Sequence, residues 1–210
     1  HHIGMSTAPA LYKNLGFDPM NDYEYVGQVA DVPMILVGNK NLPPKNYQEL
    51  LPYMKANVST IAYANAGVGS ASHLCGLLFM SRIQLDLTTV PYKGTAPALT
   101  DLIGGQVDVM FNGMVATYPH VKAGKIKLIA ISSNKRNPQM PDTPTVAESL
   151  PGFLTGSFQG LLAPAGTPKA IVQRVQTEVV KALGDPSVRE QLMAQGLTPR
   201  GSSPEELASA

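Results

Sequence analysis

The sequence predicts a mixed α/β protein built on a parallel or mixed sheet. Three observations support this class. Short apolar runs alternate with segments at helical spacing. The 19 Gly and 18 Pro fall between those runs as punctuation. No internal repeat or low-complexity tract breaks the alternation. With 210 residues, 44% of them hydrophobic, the chain can bury one core or two modest ones, since domains commonly run to about 100–150 residues.

The elements follow in order. Residues 25–29 and 34–39 read as strands, interrupted by Ala30-Asp31-Val32-Pro33. Residues 46–55 have helical spacing, with Asn46 as N-cap and Glu49 at N3. Residues 60–64 form a short strand. Residues 70–80 read as a helix that is almost wholly apolar and is therefore expected to be buried. A strand over 87–90 leads to a helix over 95–103, with Thr95 as cap and Pro97 in its first turn. Residues 107–111 are a strand, 118–123 a short helix and 128–132 a strand. This alternation is that of βαβ units.

The tail changes character. Residues 158–162 read as a strand. Residues 168–183 form an amphipathic helix with Ile171, Val172, Val175, Val179, Ala182 and Leu183 on one side, ended by Gly184. A helix over 186–195 is closed by Gly196, and Pro204-Glu205-Glu206 starts another.

Composition narrows the function. The net charge is +1, without the clustered basic surplus of a nucleic-acid-binding surface. The single cysteine, Cys75, rules out a disulfide within the chain and a cysteine-rich zinc site. No apolar run approaches the roughly 20 residues of a membrane-spanning helix. No cofactor or metal is expected, because His1, His2, His73 and His120 show no ligand spacing.

The most informative stretch is Tyr63-Ala64-Asn65-Ala66-Gly67-Val68-Gly69-Ser70-Ala71-Ser72-His73. A strand enters a glycine-rich turn and then a helix. Free N–H groups at a helix start, aligned with the macrodipole, suit an anion. Gly67 and Gly69 let backbone approach a ligand, and Ser70 and Ser72 add hydroxyl donors. An ordinary serine-capped turn is the competing reading. The stretch is neither a P-loop, since no Gly-Lys-Ser/Thr follows, nor a dinucleotide fingerprint, since the third glycine is missing. Pro91-Tyr92-Lys93-Gly94-Thr95 repeats the strand–turn–helix logic, with Lys93 read as a solvated turn residue, and Phe111-Asn112-Gly113 ends another strand on a polar side chain. Ligands in open α/β sheets sit beyond the carboxyl ends of the strands. Asn65, Tyr92 and Asn112 all occupy such ends. Catalytic constellations are weak: His73 reads as a hydrogen-bonded core histidine, Cys75 as inert packing, and neither Ser70 nor Ser72 has a base-and-orienter pair.

Five segments then follow one another in a recognisable order and spacing: Gly67-Val68-Gly69-Ser70-Ala71-Ser72-His73-Leu74, Val90-Pro91-Tyr92-Lys93-Gly94, Leu102-Ile103-Gly104-Gly105-Gln106-Val107-Asp108, Pro141-Asp142-Thr143-Pro144-Thr145-Val146-Ala147-Glu148 and Ala163-Pro164-Ala165-Gly166-Thr167-Pro168. Across essentially the whole chain they resemble the Bug/TctC proteins, the periplasmic receptors of tripartite tricarboxylate transporters.

The resemblance implies a two-lobe, type II-like periplasmic-binding-protein fold with hinge strands, no enzymatic activity and no cofactor. It implies lobe 1 over 1–31 and 158–210, lobe 2 over 32–157, and crossings near 30–33 and 157–160. It implies a monomer that captures a small carboxylate (a dicarboxylate, amino acid or aromatic acid) in the interlobe cleft and presents it to the transporter's membrane components. The ligand-binding residues so implied are Asn65, Gly67, Gly69, Ser70, Ala71, Tyr92, Asn112 and Phe158. Two departures stand out. The family's first strand and Pro-Gly-Gly-type loop have no counterpart here, so the first lobe is expected to be N-terminally truncated, and Phe158 stands where the family usually carries Trp. A periplasmic location is implied as well, with no signal peptide in this chain. Two other readings share the turn: a ligand-sensing partner of a membrane histidine kinase, and an enzyme using the turn as an anion cradle.

Overall fold

The structure, a computed structural model, describes residues 2–11, 13–138 and 140–209. It divides into two compact units, His1–Val32 with Ser157–Ala210, and Pro33–Gly156. His1 lies outside the described residues. A helix α1 (His2–Leu11), unassigned by sequence patterning, precedes a long strand β1 (Tyr23–Asn39). The expected interruption at 30–33 is absent, and β1 runs through it. Pro33 is tolerated because it falls between two ladders. Ala30 and Asp31 pair on one side of it, and pairing resumes at Met34, so no ladder hydrogen bond needs its missing N–H.

In the unit Pro33–Gly156 the elements are α2 (Tyr47–Ala56), β2 (Ala62–Asn65), α3 (Ala71–Ile83), β3 (Thr88–Pro91), α4 (Thr95–Gly104), β4 (Val109–Gly113), α5 (Met114–Lys122) and β5 (Ile126–Ile131). A short 3-10 turn, Val146–Glu148, follows. The sheet order is β3-β2-β4-β1-β5. β2 runs parallel to β3 and β4, whereas β1 is antiparallel to β4 and β5. The sheet is thus mixed, with the parallel strands contributed by the βαβ units.

Both faces of this sheet are covered. Leu36, Tyr63 and Phe111 belong to one buried cluster with Leu50, Met54, Cys75 and Phe79 from α2 and α3. Their neighbours Ile35, Val37, Ala64 and Met110 belong to a second cluster with Leu99, Leu102 and Met114 from α4 and α5. The alternation is the period-two geometry of strands, and the double cover explains why the strands read as continuous apolar runs. Phe79 organises the first cluster, with its ring centroid 5.3 Å from Phe111 and 6.1 Å from Phe153, both edge-on.

Three local expectations change. α3 is not buried all round. Ser72, Cys75, Gly76, Phe79, Met80 and Ile83 face inward, but Leu74, Leu77 and Leu78 are 37–45% exposed, because the helix meets the sheet with one face only. Thr95 is not the cap of α4. Gly94 takes the N-cap position, with no side-chain cap bond. α5 begins four residues earlier than expected, directly at the end of β4, because Gly113 turns the chain without a loop.

In the other unit, β6 (Gly156–Pro164) and β7 (Thr198–Pro199) pair with the first half of β1. α6 (Lys169–Gly184), α7 (Pro186–Ala194) and α8 (Pro204–Ala208) complete it. Asp185 caps α7 by accepting from the Ser187 and Val188 amides, and Ser203 with Glu206 forms a capping box on α8. The apolar stripe of α6 is only partly buried: Val172 and Leu183 are covered, while Ile171 and Val175 stay exposed. Amphipathic spacing showed which side faces inward but not how much of that side finds a neighbour.

Two predictions concern the unit Pro33–Gly156. Tyr63 lies under α3 at Gly76, where an added Cβ would come within 2.3 Å of the phenol ring. Gly76→Ala is expected to destabilise by about 1–3 kcal/mol or more through overpacking, read from the urea midpoint; an unchanged midpoint would show that the ring can move aside. Separately, the Arg136 guanidinium and the Thr145 amide hold the Glu148 carboxyl down at about 2. A depressed carboxylate contributes stability above its unfolded value, about 4.3, and that contribution is lost as pH falls toward 2. Glu148→Gln should flatten the stability loss between about pH 4.5 and 2; an identical acid profile in wild type and variant would rule this out.

Candidate functional site

β2 ends at Asn65, and α3 begins at Ala71. The turn between them is closed by its own side chains. Gly67 N–H donates to Asn65 Oδ1 at 2.9 Å, and Ala66 N–H to Ser72 Oγ at 2.8 Å. His73 N–H donates to Ser70 Oγ at 3.2 Å, the ordinary N-cap bond. The two serine hydroxyls lie 3.0 Å apart, and Gly69 N–H donates to His73 Nδ1 at 3.2 Å. Positive φ at Gly67 (116°) and Gly69 (78°) makes this path available.

The following βα turn is stitched onto the first. Tyr92 N–H donates to Asn65 O at 2.9 Å, and Gly94 N–H to Ala66 O at 3.1 Å. Because β3, β2 and β4 are neighbours in the sheet, Asn65, Tyr92 and Asn112 gather at one edge, beyond the carboxyl ends of parallel strands. Their side chains differ in what they leave free. The Tyr92 hydroxyl donates to Asp101 Oδ2 at 2.7 Å. Burial, with the Asp101 carboxylate next to it, pushes that phenol up to about 12. Tyr92 therefore meets the turn through its backbone. Asn112 Nδ2 donates to Thr117 Oγ1 at 2.9 Å, and its Oδ1 accepts from Thr95 Oγ1 at 3.4 Å. This ties β4 to α4 and α5.

Asn65 is different. It is fully buried, its Oδ1 is engaged by Gly67, and its Nδ2 has no partner among the described residues. An orphaned buried donor is costly. Beside it, the Ala71 and Ser72 amides at the first turn of α3 find no acceptor among the described residues, as expected at a helix start. The edge thus offers unpaired N–H groups, a helix macrodipole and no bonded cation. Lys93, on the adjacent turn, is exposed.

Phe158 lies half-buried on β6 in the other unit. Ser70 and Ser72 accept turn amides rather than presenting free hydroxyls. The sequence reading missed the role of His73, which is half-buried and bonded to the turn, not enclosed in the core. The Ser70-x-x-His73 spacing, N-cap to N3, was the signal that could have shown it. Among the described residues no base is bonded to either serine hydroxyl. The Cys75 thiol is buried against Thr155 Oγ1 at 2.8 Å and pushed up to about 12, far from a reactive thiolate. Among the described residues no cluster of His, Cys, Asp and Glu could hold a metal, and no helix is long and apolar enough to cross a membrane.

The mixed α/β architecture is that of the periplasmic binding proteins. The solved structure of the periplasmic binding protein BugD is 42% identical, covers 99% of this chain and 70% of its own, and superposes with a TM-score of 0.89. An R. palustris protein solved with adipate is 35% identical over 94% of this chain and 67% of its own, with a TM-score of 0.90. MatC from Rhodopseudomonas palustris, solved with bound malate, is 37% identical over 97% of this chain and 70% of its own, with a TM-score of 0.84. The chain belongs to the TctC family, described as the tripartite tricarboxylate transporter family receptor, which it matches over residues 2–209. It spans 58–62% of the length of the curated relatives it matches first, BugT of Bordetella pertussis among them.

At Gly67 an added Cβ would lie 3.0 Å from Tyr92 O, on a backbone whose φ of 116° already disfavours any side chain. Gly67→Ala is expected to cost about 1–3 kcal/mol, measured by chemical denaturation; a loss below about 0.5 kcal/mol, within the range of ordinary surface substitutions, would mean that the turn is not held against the Tyr92 carbonyl.

Proposed function

We propose that this chain is a solute receptor that captures a small dicarboxylate in the periplasm and delivers it, as a monomer, to the membrane components of a tripartite tricarboxylate transporter. The observation that carries the binding reading is the orphaned Asn65 Nδ2 beside the unpaired Ala71 and Ser72 amides. On this reading a ligand carboxylate is the acceptor these donors lack. Charge-assisted bonds of this kind contribute about 1.5–3 kcal/mol each, and the macrodipole of α3 adds to them. Gly67 and Gly69 keep Cβ atoms out of the approach, Ser70 holds the helix start, and Tyr92 and Asn112 brace the edge. The adipate and malate of the two R. palustris structures support the dicarboxylate class.

A thermal-shift screen of the full chain against a carboxylate panel, adipate and malate included, tests this reading. A ligand at 100 times its dissociation constant is expected to add about 2.7 kcal/mol of stability. Asn65→Ala should lower affinity about tenfold, the loss of one charge-assisted bond, while the protein stays folded. A panel with no stabilising carboxylate sinks the proposal, and unchanged affinity in Asn65→Ala removes the turn from the site.

A further inference from the structure

We propose that His73 is the positioning residue of the anion turn: its neutral imidazole supplies the acceptor that a carboxylate supplies in other caps of this chain, and so holds the Gly69 amide without placing negative charge where an anion binds. The inference rests on the receptor reading above.

Three other N-caps carry an acid at N3. Asn46 caps α2, and Glu49 reaches back to accept from Lys45 N–H at 2.9 Å. Thr145 precedes the 3-10 turn, and Glu148 accepts from the Thr145 amide at 3.1 Å. Ser203 caps α8, and Glu206 accepts from the Ser203 amide at 2.9 Å. The start of α3 follows the same plan with one substitution of chemistry. Ser70 is the N-cap, and N3 is His73, whose Nδ1 accepts from Gly69 N–H, the residue before the cap. Glu49 and Lys45 show the same reach on α2.

An acid at N3 normally helps a helix, since negative charge complements the N-terminal dipole. At α3 it would compete with a ligand for the same positive end and repel the ligand's carboxylate. A neutral imidazole avoids this. Acceptance at Nδ1 requires the proton to sit on Nε2, so the Nε2–H tautomer is the one the turn selects. The bond also fixes Gly69 at its positive φ and, through the Ser70 N–H to Gly67 O bond of 3.1 Å, the spacing of the turn next to Asn65.

The test compares His73→Gln, His73→Glu and His73→Leu in the full chain, with adipate and malate as probes in calorimetric titrations. Gln and Glu are equal in size and both serve as N3 capping residues. His73→Gln is expected to bind within about threefold of wild type. His73→Glu should melt no lower than His73→Gln yet bind at least about tenfold more weakly. His73→Leu, which removes the imidazole acceptor of the Gly69 amide bond, should lose about tenfold. Equal binding by the Gln and Glu variants, or wild-type binding by His73→Leu, overturns the inference. Nitrogen-15 spectra of the wild-type imidazole decide the matter independently of any ligand: an unprotonated Nδ1 supports it, and a protonated Nδ1 overturns it. A wild-type chain that binds neither probe counts against the receptor reading, and the spectra then judge His73 alone.

Discussion

The site depends on how the Tyr63 phenol is bonded. Tyr63 leaves β2 beneath α3, and its hydroxyl donates to Ser72 O at 2.5 Å while accepting from Phe111 N–H at 3.2 Å. One side chain thereby joins β2, the first turn of α3 and β4. Burial pushes this phenol well above its ordinary range, so it remains a neutral donor and acceptor. Gly76 makes room for the ring. Without that crossing, the start of α3 would have no fixed height above the sheet edge, and the amides of Ala71 and Ser72 would not be held beside Asn65.

Built on that anchor, the turn is an arrangement of neutral groups. Its internal bonds use up the hydroxyls of Ser70 and Ser72, the carbonyl of Asn65 and the imidazole of His73. Asn65 Nδ2 and the Ala71 and Ser72 amides remain as donors without a partner among the described residues. A preorganised set of N–H groups holds an anion without the desolvation cost of burying a lysine or arginine, and it discriminates by geometry more than by net charge. The exposed Arg136–Glu148 pair lies outside this turn, where it secures a loop.

Much of the fold was legible in the sequence. Asn46 with Glu49 announced α2, and Pro204-Glu205-Glu206 announced α8, because caps are local chemistry with fixed spacing. The strand–turn–helix unit around Asn65 was legible for the same reason. Other features were not. The extent of β1 depended on Pro33 falling between two ladders, and the partial exposure of α3 and α6 depended on what packs against them. The orphaned Asn65 Nδ2 could not be read from sequence, since a missing partner is a property of surroundings. The part played by His73 was half legible: its N3 position is written in the sequence, but the direction of its ring is not.

The sequence by itself determined the alternation of strands and helices, the glycine-rich turn with its serine cap, the absence of a disulfide within the chain and the family to which the motifs point. These are matters of local pattern, composition and order. Tertiary structure alone decided the sheet order that brings Asn65, Tyr92 and Asn112 to one edge, the diversion of the Tyr92 phenol to Asp101, the commitment of Asn112 to Thr117, and the isolation of one buried amide donor. The reason is that hydrogen-bond satisfaction is a global count: which polar group is left over is known only when every neighbour has taken its place.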